Sequence, residues 1–484
     1  MAINSVRTLI GNFASLMTSE VVNRATTFVL YALVARYLGT FEFGQLSLAL
    51  TLFAVFQVLA GLGLKTLITR EVSRDRSSTS QYLVNGSVVV VVGSVFSITV
   101  VMAFVRLLSY SPETSSVILL LSLGVLPFSL SLINKAVFQA WEQMHYIAWA
   151  NVPVHVAKVG LALFLLQQSY GLFHLILLLL VTYVTTMLLE WWLILRHITR
   201  PRLRIDRHFC MSMIRATSPF LGITLIVAIN VNLDIILLSR FANEAQVGLY
   251  GAAAQLITPL IVIYDTTMLS VFPDMCRRFT IGLESLKRLS GQVLELLLSI
   301  ALPVVIGLLF LTEPVILLLY GDADFALASQ VLRILVWTLI LAAYTHVLGR
   351  ALVASLREKV TLRIVVTTTL IKLLLGLVLI SQFGLIGAVM TALLIALIEA
   401  LMHYASVSRL LFQMPLGRLA WKPVAAGVCM AIYLVLLRGQ GLLLTAVSSG
   451  AVYAVVLLAL IIFSNGGLRQ FTTKYQHLLS RQQS

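Results

Sequence analysis

The chain has 484 residues, of which 60% are hydrophobic and 11% charged, with a formal net charge of +15 and a mean hydropathy of +0.99. Soluble globular chains carry about 45–50% apolar and about 25% charged residues, so the bilayer is the solvent for most of this chain. No stretch between the apolar runs is long enough to bury a core of its own, which excludes a separate nucleotide-hydrolysing domain.

A hydrocarbon layer about 30 Å thick needs roughly 20 apolar residues per helix. Windows of that size place spans near 13–35, 44–64, 83–105, 115–134, 150–166, 172–195, 216–239, 247–273, 291–311, 331–349, 361–380, 384–408, 419–437 and 442–463. Arg7 precedes the first run, which has full span length and no small-residue cleavage site behind it, so it is expected to remain as span 1. Gly61-Leu-Gly-Leu-Lys65-Thr66, at the end of span 2, lacks the Gly-Lys-Ser/Thr triplet of a phosphate loop and reads as a span end. Asn85-Gly-Ser is formally a glycosylation acceptor, but it falls on the predicted cytoplasmic side. Cys210 and Cys276 fall in predicted cytoplasmic loops and Cys429 in a late span, with no disulfide, redox or metal-ligand spacing.

With the N-terminus inside, of the 34 basic residues only Arg36, Arg106, Arg240, Arg333 and Arg438 fall on the outer side, and Arg24, Lys158 and Lys372 fall within spans. All the others lie on the cytoplasmic side, including the tail residues Arg469, Lys474 and Arg481. This asymmetry predicts fourteen crossings with both termini cytoplasmic. The basicity is therefore topological, with anionic phospholipid rather than nucleic acid as its partner.

Residues 35–49 align without gaps on residues 239–253, bringing Arg36 onto Arg240, Gly44 onto Gly248 and Ala49 onto Ala253. A second echo links Lys158 and Tyr170-Gly171-Leu172 to Lys372 and Phe383-Gly384-Leu385. The pattern predicts an all-α membrane protein of two six-helix lobes plus an appended helix pair. Residues 1–199 form the N-terminal lobe, 200–215 a basic cytoplasmic linker, 216–411 the C-terminal lobe, and 412–484 spans 13 and 14 with a cytoplasmic tail. Six spans per lobe is an even number, so the lobes share one orientation and are related by a pseudo-twofold along the membrane normal.

Several strings occur in order along roughly the first 410 residues: Ala35-Arg36-Tyr37-Leu38-Gly39 with Phe43-Gly44, Gly61-Leu62-Gly63 with Arg70-Glu71, and Asp234 with Val247-Gly248-Leu249-Tyr250. Phe272-Pro273, Pro303 with Gly307, and Glu313-Pro314 with Leu319-Tyr320-Gly321 and Phe325 follow. On this topology the set resembles the multidrug/oligosaccharidyl-lipid/polysaccharide exporter superfamily, and within it the polysaccharide transport branch of lipid-linked oligosaccharide flippases. The resemblance implies alternating access between two lobes that carry an undecaprenyl-diphosphate-linked oligosaccharide, a precursor of surface polysaccharide such as O-antigen, across the bacterial inner membrane. It implies a transporter with no cofactor and no resident metal, acting beside glycosyltransferases and a polysaccharide polymerase. Multidrug or cation antiporters and peptidoglycan-precursor flippases of the same superfamily are the alternatives.

Ionisable side chains inside a bilayer must face water or a partner, which makes them the candidate functional residues. Glu20 and Arg24, four apart on one face of span 1, are either a mutually neutralised pair or an arginine presented to a cavity. Asn151, His155 and Lys158 form a polar stripe on span 5. Lys372 sits at nearly the corresponding depth in span 11, so the two lysines suit a diphosphate in a shared cavity. Asp234 and Asp265 are candidates for ion coupling or are counter-ions to Lys372 or Arg24. Arg36 and Arg240 read first as interfacial anchors and second as glycan or lipid contacts. Glu190, Glu295 and Glu399 read as solvated carboxylates near the cytoplasmic span ends. Arg200, Arg204 and Arg207 have helical spacing, so the linker reads as a surface helix on anionic lipid or as a mouth that draws a diphosphate.

Overall fold

The computed structural model describes residues 2–321, 323–437 and 441–464; Arg438, Arg469, Lys474 and Arg481 lie outside the described residues, as does the side chain of Arg7. Among the described residues the chain is helical with no strand, the arrangement that satisfies every backbone N–H and C=O within its own segment in a medium without water. Among the described residues twelve helical segments are long and apolar enough to cross a membrane.

Two of the twelve are too long for one crossing. Helix α1 (Ala2–Gly61) supplies an apolar stretch of 47 residues and α13 (Glu358–Leu410) one of 53, which at 1.5 Å per residue run to about 70 and 80 Å. Each bends once, at a residue in the left-handed region: Gly39 (φ 79°) in α1 and Gly384 (φ 53°) in α13. Glycine reaches that region without a Cβ clash. Each bend makes two crossings of one helix, so the twelve become fourteen. The predicted loops at 35–44 and 380–384 are thus single-residue hinges.

The reverse occurs at two predicted single spans. Span 115–134 is divided into α4 (Pro112–Ser122) and α5 (Val125–Ala140), and span 331–349 into α11 (Ala326–Leu335) and α12 (Thr338–Ala354). Ser111 caps α4 by accepting from the Thr114 N–H, with Pro112 in the first turn where its missing N–H costs nothing. At Gly124 a side chain would press on the Leu121 carbonyl and the ring of Tyr183.

The chain packs as two compact units. The first comprises residues 1–252 with 372–388: α1, α2 (Leu64–Arg74), α3 (Thr79–Leu108), α4, α5, α6 (His145–Gln167), α7 (Leu172–His197), α8 (Arg207–Phe241), the start of α9 (Glu244–Ile281) and the middle of α13. One end is filled by a core that includes Leu64, Ile68, Leu83, Phe138, Ile147 and Ile194. The turn Leu62-Gly63, both at positive φ, carries the chain from α1 into α2, so the glycine-rich string is a span end. The second unit comprises residues 253–371 with 389–484. In it α14 (Leu416–Leu436) and α15 (Leu442–Ser464) bury Met430, Leu434 and Tyr453 beside Leu302 and Ile306 of α10 (Leu283–Tyr320). Lys422 ties α14 to Glu295 of α10 at 2.9 Å.

The internal repeat acquires a physical counterpart within the first unit. Glu42 Oε2 accepts from the Leu172 N–H at 3.3 Å, and Gln246 Oε1 accepts from the Leu385 N–H at 3.1 Å. Glu42 and Gln246 occupy the same position of the repeated element, and Leu172 and Leu385 the same position of the second echo. In both copies the acceptor satisfies an amide beside a glycine, Gly171 or Gly384, where the chain enters a new span. The two copies of the repeated element also pack on each other. A Cβ at Gly44 would run into the Glu244 carbonyl, one at Gly248 into the Thr40 carbonyl, and one at Gly251 would press on Ser47. Equivalent residues meet in this way only close to the axis that relates them.

The linker is not a surface helix. Residues 201–206 have no helical structure, and α8 begins at Arg207, capped by Asp206, which accepts from the His208 and Phe209 N–H groups. Pro201 has no N–H, and Asn85 competes for the strap's backbone: its Oδ1 accepts from the Asp206 N–H at 2.8 Å and its amide faces the Arg204 carbonyl at 3.4 Å. Asn85 is buried, so it serves this connection and is not presented as a glycosylation acceptor.

Candidate functional site

Within the first unit α1, α5, α6 and α7 enclose a cavity of about 190 Å³. Its walls include Asn151, His155 and Lys158, the predicted stripe of α6. Facing it are Thr182, Thr186 and Tyr183 of α7, with Tyr31, Asn23 and Thr27 of α1 and Phe128 and Lys135 of α5. Phe53 stacks on Tyr183 at 5.3 Å, and Phe128 meets the same ring edge-on at 5.6 Å, so the aromatic wall is fixed. The side chains combine cationic donors with flat apolar surface, the chemistry that holds an anionic group next to an uncharged one.

Lys158 is only 4% exposed, and its Nζ lies 3.3 Å from His155 Nδ1. An ammonium only donates, so this contact requires an unprotonated Nδ1. No carboxylate stands within 4.0 Å of Lys158 among the described residues. At the neighbouring end Glu190 is 0% exposed, with Lys135 Nζ at 3.7 Å and Asn151 Nδ2 donating to the same oxygen, Oε1, at 3.2 Å. Glu190 is therefore an internal counter-ion and not a solvated residue. A further lysine, Lys65 of α2, feels the same field: burial holds its ammonium below its usual pKa, Lys135 lowers it further, and Glu20 opposes them.

Glu190 was missed because position near a span end was given more weight than spacing. Thr182, Thr186 and Glu190 recur every four residues on α7, a polar stripe facing that of α6, and that periodicity was legible.

Lys372 does not line this cavity. It is 6% exposed, like Asp234, and the two form an ion pair of 2.8 Å between α13 and α8. Lys372 also donates to the Asn230 carbonyl at 2.8 Å, and the Tyr250 hydroxyl donates to Asp234 Oδ2 at 3.0 Å. Tyr250 was not singled out from sequence as a site residue, although it ends the Val247-Gly248-Leu249-Tyr250 string in the second copy of the repeated element. The structure thus separates the two lysines: one is neutralised by a carboxylate, the other meets an imidazole.

Arg24 and Glu20 pair at 2.7 Å and are half exposed, on the turn of α1 whose residues Asn23 and Thr27 reach the cavity. Arg36 and Arg240 are exposed near Gly39 and at the end of α8. Asp265 meets His346 of α12 at 3.3 Å in the second unit, where Tyr264 stacks edge-on against the same imidazole.

Residues 9–279, more than half of the chain, match the family described as polysaccharide biosynthesis protein. The chain belongs to the polysaccharide biosynthesis protein family. A curated relative, the probable low-salt glycan biosynthesis flippase Agl15 of Haloferax volcanii, is 22% identical over 173 residues, 35% of this chain. That match spans only 36% of the relative's length. Among solved structures, the lipid II flippase MurJ in an inward closed conformation superposes with a TM-score of 0.74 at 15% identity, covering 97% of this chain and all of that one. An inward-facing multidrug resistance MATE transporter gives 0.66 at 14% identity, covering 82% of this chain and 98% of that one. This polysaccharide biosynthesis family member therefore shares the fold of both structures.

Proposed function

We propose that the protein is a flippase that moves a polyprenyl-diphosphate-linked oligosaccharide, in a bacterium the undecaprenyl form, across the cytoplasmic membrane by alternating access. Beside family membership, the observation that supports this reading is Lys158: a buried ammonium in a cavity lined by polar and aromatic side chains, with a histidine and, among the described residues, no carboxylate at its head. An anionic group is the partner such a site lacks. An antiporter of organic cations would need the opposite polarity, and Glu190, the buried acid at the neighbouring end, is already paired with Lys135. In this reading Lys158, His155 and Lys135 bind phosphate oxygens and the ring wall of Tyr183 and Phe128 abuts sugar. Arg24, paired with Glu20, lies at the mouth, and Arg36 and Arg240 are outer contacts for glycan or lipid. Lys372 and Asp234 act as an internal ion pair, Asp265 is an exposed partner of His346, and the lobes are residues 1–199 and 216–411. Glycosyltransferases that assemble the cargo and a polymerase that consumes it are the implied partners.

Vesicles reconstituted with a labelled lipid-linked glycan test the site. Hydrogen bonds to charged groups contribute about 1.5–3 kcal/mol, so Lys158→Gln is expected to slow translocation roughly tenfold to a hundredfold, with unchanged insertion and level. Lys158→Arg should keep part of the rate, since charge survives while reach and geometry change. Normal transport by Lys158→Gln at a normal level would sink the assignment.

The basic asymmetry supports cytoplasmic termini. Reporter fusions after Arg106, Arg240 and Gly321 are expected to signal the periplasm, and fusions after Arg76, Arg207 and Arg357 the cytoplasm. A periplasmic signal at Arg207 would break the two-lobe reading.

A further inference from the structure

The strap of residues 199–206 has two chemically different faces. Arg200, Arg202 and Arg204 line a cleft of about 780 Å³ against the start of α3, while the alternate residues Leu203 and Ile205 are 87% and 65% exposed. The Arg204 N–H donates to the Arg202 carbonyl at 2.7 Å, a tight turn with Leu203 at its tip, so the sequence Arg-Leu-Arg-Ile gives its arginines to the cleft and its aliphatic side chains to the outside. The backbone is held in that register from below: Ser80 Oγ accepts from the Arg202 N–H at 2.7 Å and Asn85 Oδ1 from the Asp206 N–H at 2.8 Å.

The cleft also contains two carboxylates, each with one oxygen engaged by neighbouring residues, so the three arginines leave it net cationic. Asp206 accepts from the His208 and Phe209 N–H groups, and Asp75 accepts from the N–H and hydroxyl of Ser77. Neither comes within 4.0 Å of an arginine, and none of the three guanidiniums has a carboxylate at that distance among the described residues. Guanidiniums present paired donors that match phosphate oxygens, and serine hydroxyls beside them add neutral donors.

An unpaired arginine cleft alone would suit any phosphate. The apolar face decides between sources, because two large aliphatic side chains held outward beside a cationic cleft gain nothing in water and are stabilised in acyl chains at a membrane surface. We propose that the strap is a binding site for the phosphate headgroup of an anionic phospholipid, with Arg200, Arg202 and Arg204 on the phosphate and Leu203 and Ile205 in the acyl layer. The site rests on the proposed function only for its placement at the cytoplasmic interface. Its occupancy is measured without transport, so the two readings fail separately.

The test uses the full-length protein in nanodiscs of phosphatidylcholine doped with phosphatidylglycerol, with bound lipid read by native mass spectrometry and by energy transfer from a labelled phosphatidylglycerol. A basic residue at a membrane surface is worth about fivefold in binding, so Arg200→Gln, Arg202→Gln and Arg204→Gln together are expected to weaken retention roughly a hundredfold. The backbone bonds to Ser80 and Asn85 survive these changes, and Arg→Lys at all three positions is the folding control, expected to retain most binding. Leu203→Ser with Ile205→Ser should weaken phosphatidylglycerol binding while leaving the cleft charge intact. Three outcomes overturn the proposal: equal retention by wild type and the glutamine triple, displacement of the lipid by inorganic pyrophosphate at equal concentration, or preferential retention of a polyprenyl diphosphate over phosphatidylglycerol.

Discussion

Replacing Lys372 by methionine is expected to destabilise the protein by about 3–5 kcal/mol, far more than the same change at Lys158, because it leaves Asp234 charged, buried and unpaired. Lys372 bridges that carboxylate and the Asn230 carbonyl, so one substitution breaks two charge-assisted contacts at once. Tyr250 still donates to Asp234, but a single neutral donor does not replace an ammonium. The double variant Lys372→Met with Asp234→Leu removes both charges and should recover most of the loss, since replacing a buried pair by apolar groups is often neutral. Melting of the detergent-solubilised protein and its accumulation in membranes measure the order expected: wild type and double variant high, either single variant low. A double variant as unstable as the singles would show that the pair acts through packing, and one that is stable but inactive would give the pair a part in transport.

Gly44→Ala and Gly248→Ala are expected each to cut transport by about fivefold or more, whereas Gly160→Ala should be nearly silent. A Cβ at either of the first two would overlap a carbonyl of the facing helix, Glu244 or Thr40, and backbone cannot turn away as a flexible side chain can. Forcing extra atoms into such a contact costs about 1–3 kcal/mol, roughly a fivefold to hundredfold loss of the form in which α1 and α9 touch. A Cβ at Gly160 meets nothing within 4 Å, and alanine suits a helix better than glycine by about 1 kcal/mol. The same crossing is tied by Gln45 donating to Thr114 and Thr114 donating to Glu244, at 3.0 and 2.8 Å. The Tyr110 and Ser239 hydroxyls meet at 2.8 Å beside this crossing, so a cysteine introduced next to Tyr110 reads the form: the glycine variants should label faster than the otherwise unchanged protein there. Unchanged labelling and transport would mean that the helices part without consequence.

Much of this architecture was legible in the sequence because a bilayer imposes one rule on every segment. Apolar length set the number of crossings, and the side on which arginine and lysine accumulate set the expected orientation. The pairing of Arg36 with Arg240 and Gly44 with Gly248 came from string similarity alone, yet the hydrogen bonds of Glu42 and Gln246 follow the same register. Breaks and bends were less legible. Hydropathy is blind to a helix that continues through Gly39, or one that is interrupted at Gly124, because neither changes how apolar the segment is.

What the sequence by itself determined was which residues must be explained: a few charges and polar stripes at depths where water is absent, including Asn151, His155 and Lys158 on one face of α6. What only the tertiary structure decided was which partner each one meets. Lys158 and Lys372 look alike in sequence, at similar depth in corresponding spans, but Asp234 stands beside one and His155 beside the other. Glu190 looked like a span-end carboxylate until α5 brought Lys135 to it, and Arg200, Arg204 and Arg207 had helical spacing, yet helix begins only at Arg207, with Asn85 holding the Asp206 N–H before it. Depth and face follow from local periodicity, whereas the partner of a charge is supplied by a helix tens to hundreds of residues away, and its identity depends on how helices pack.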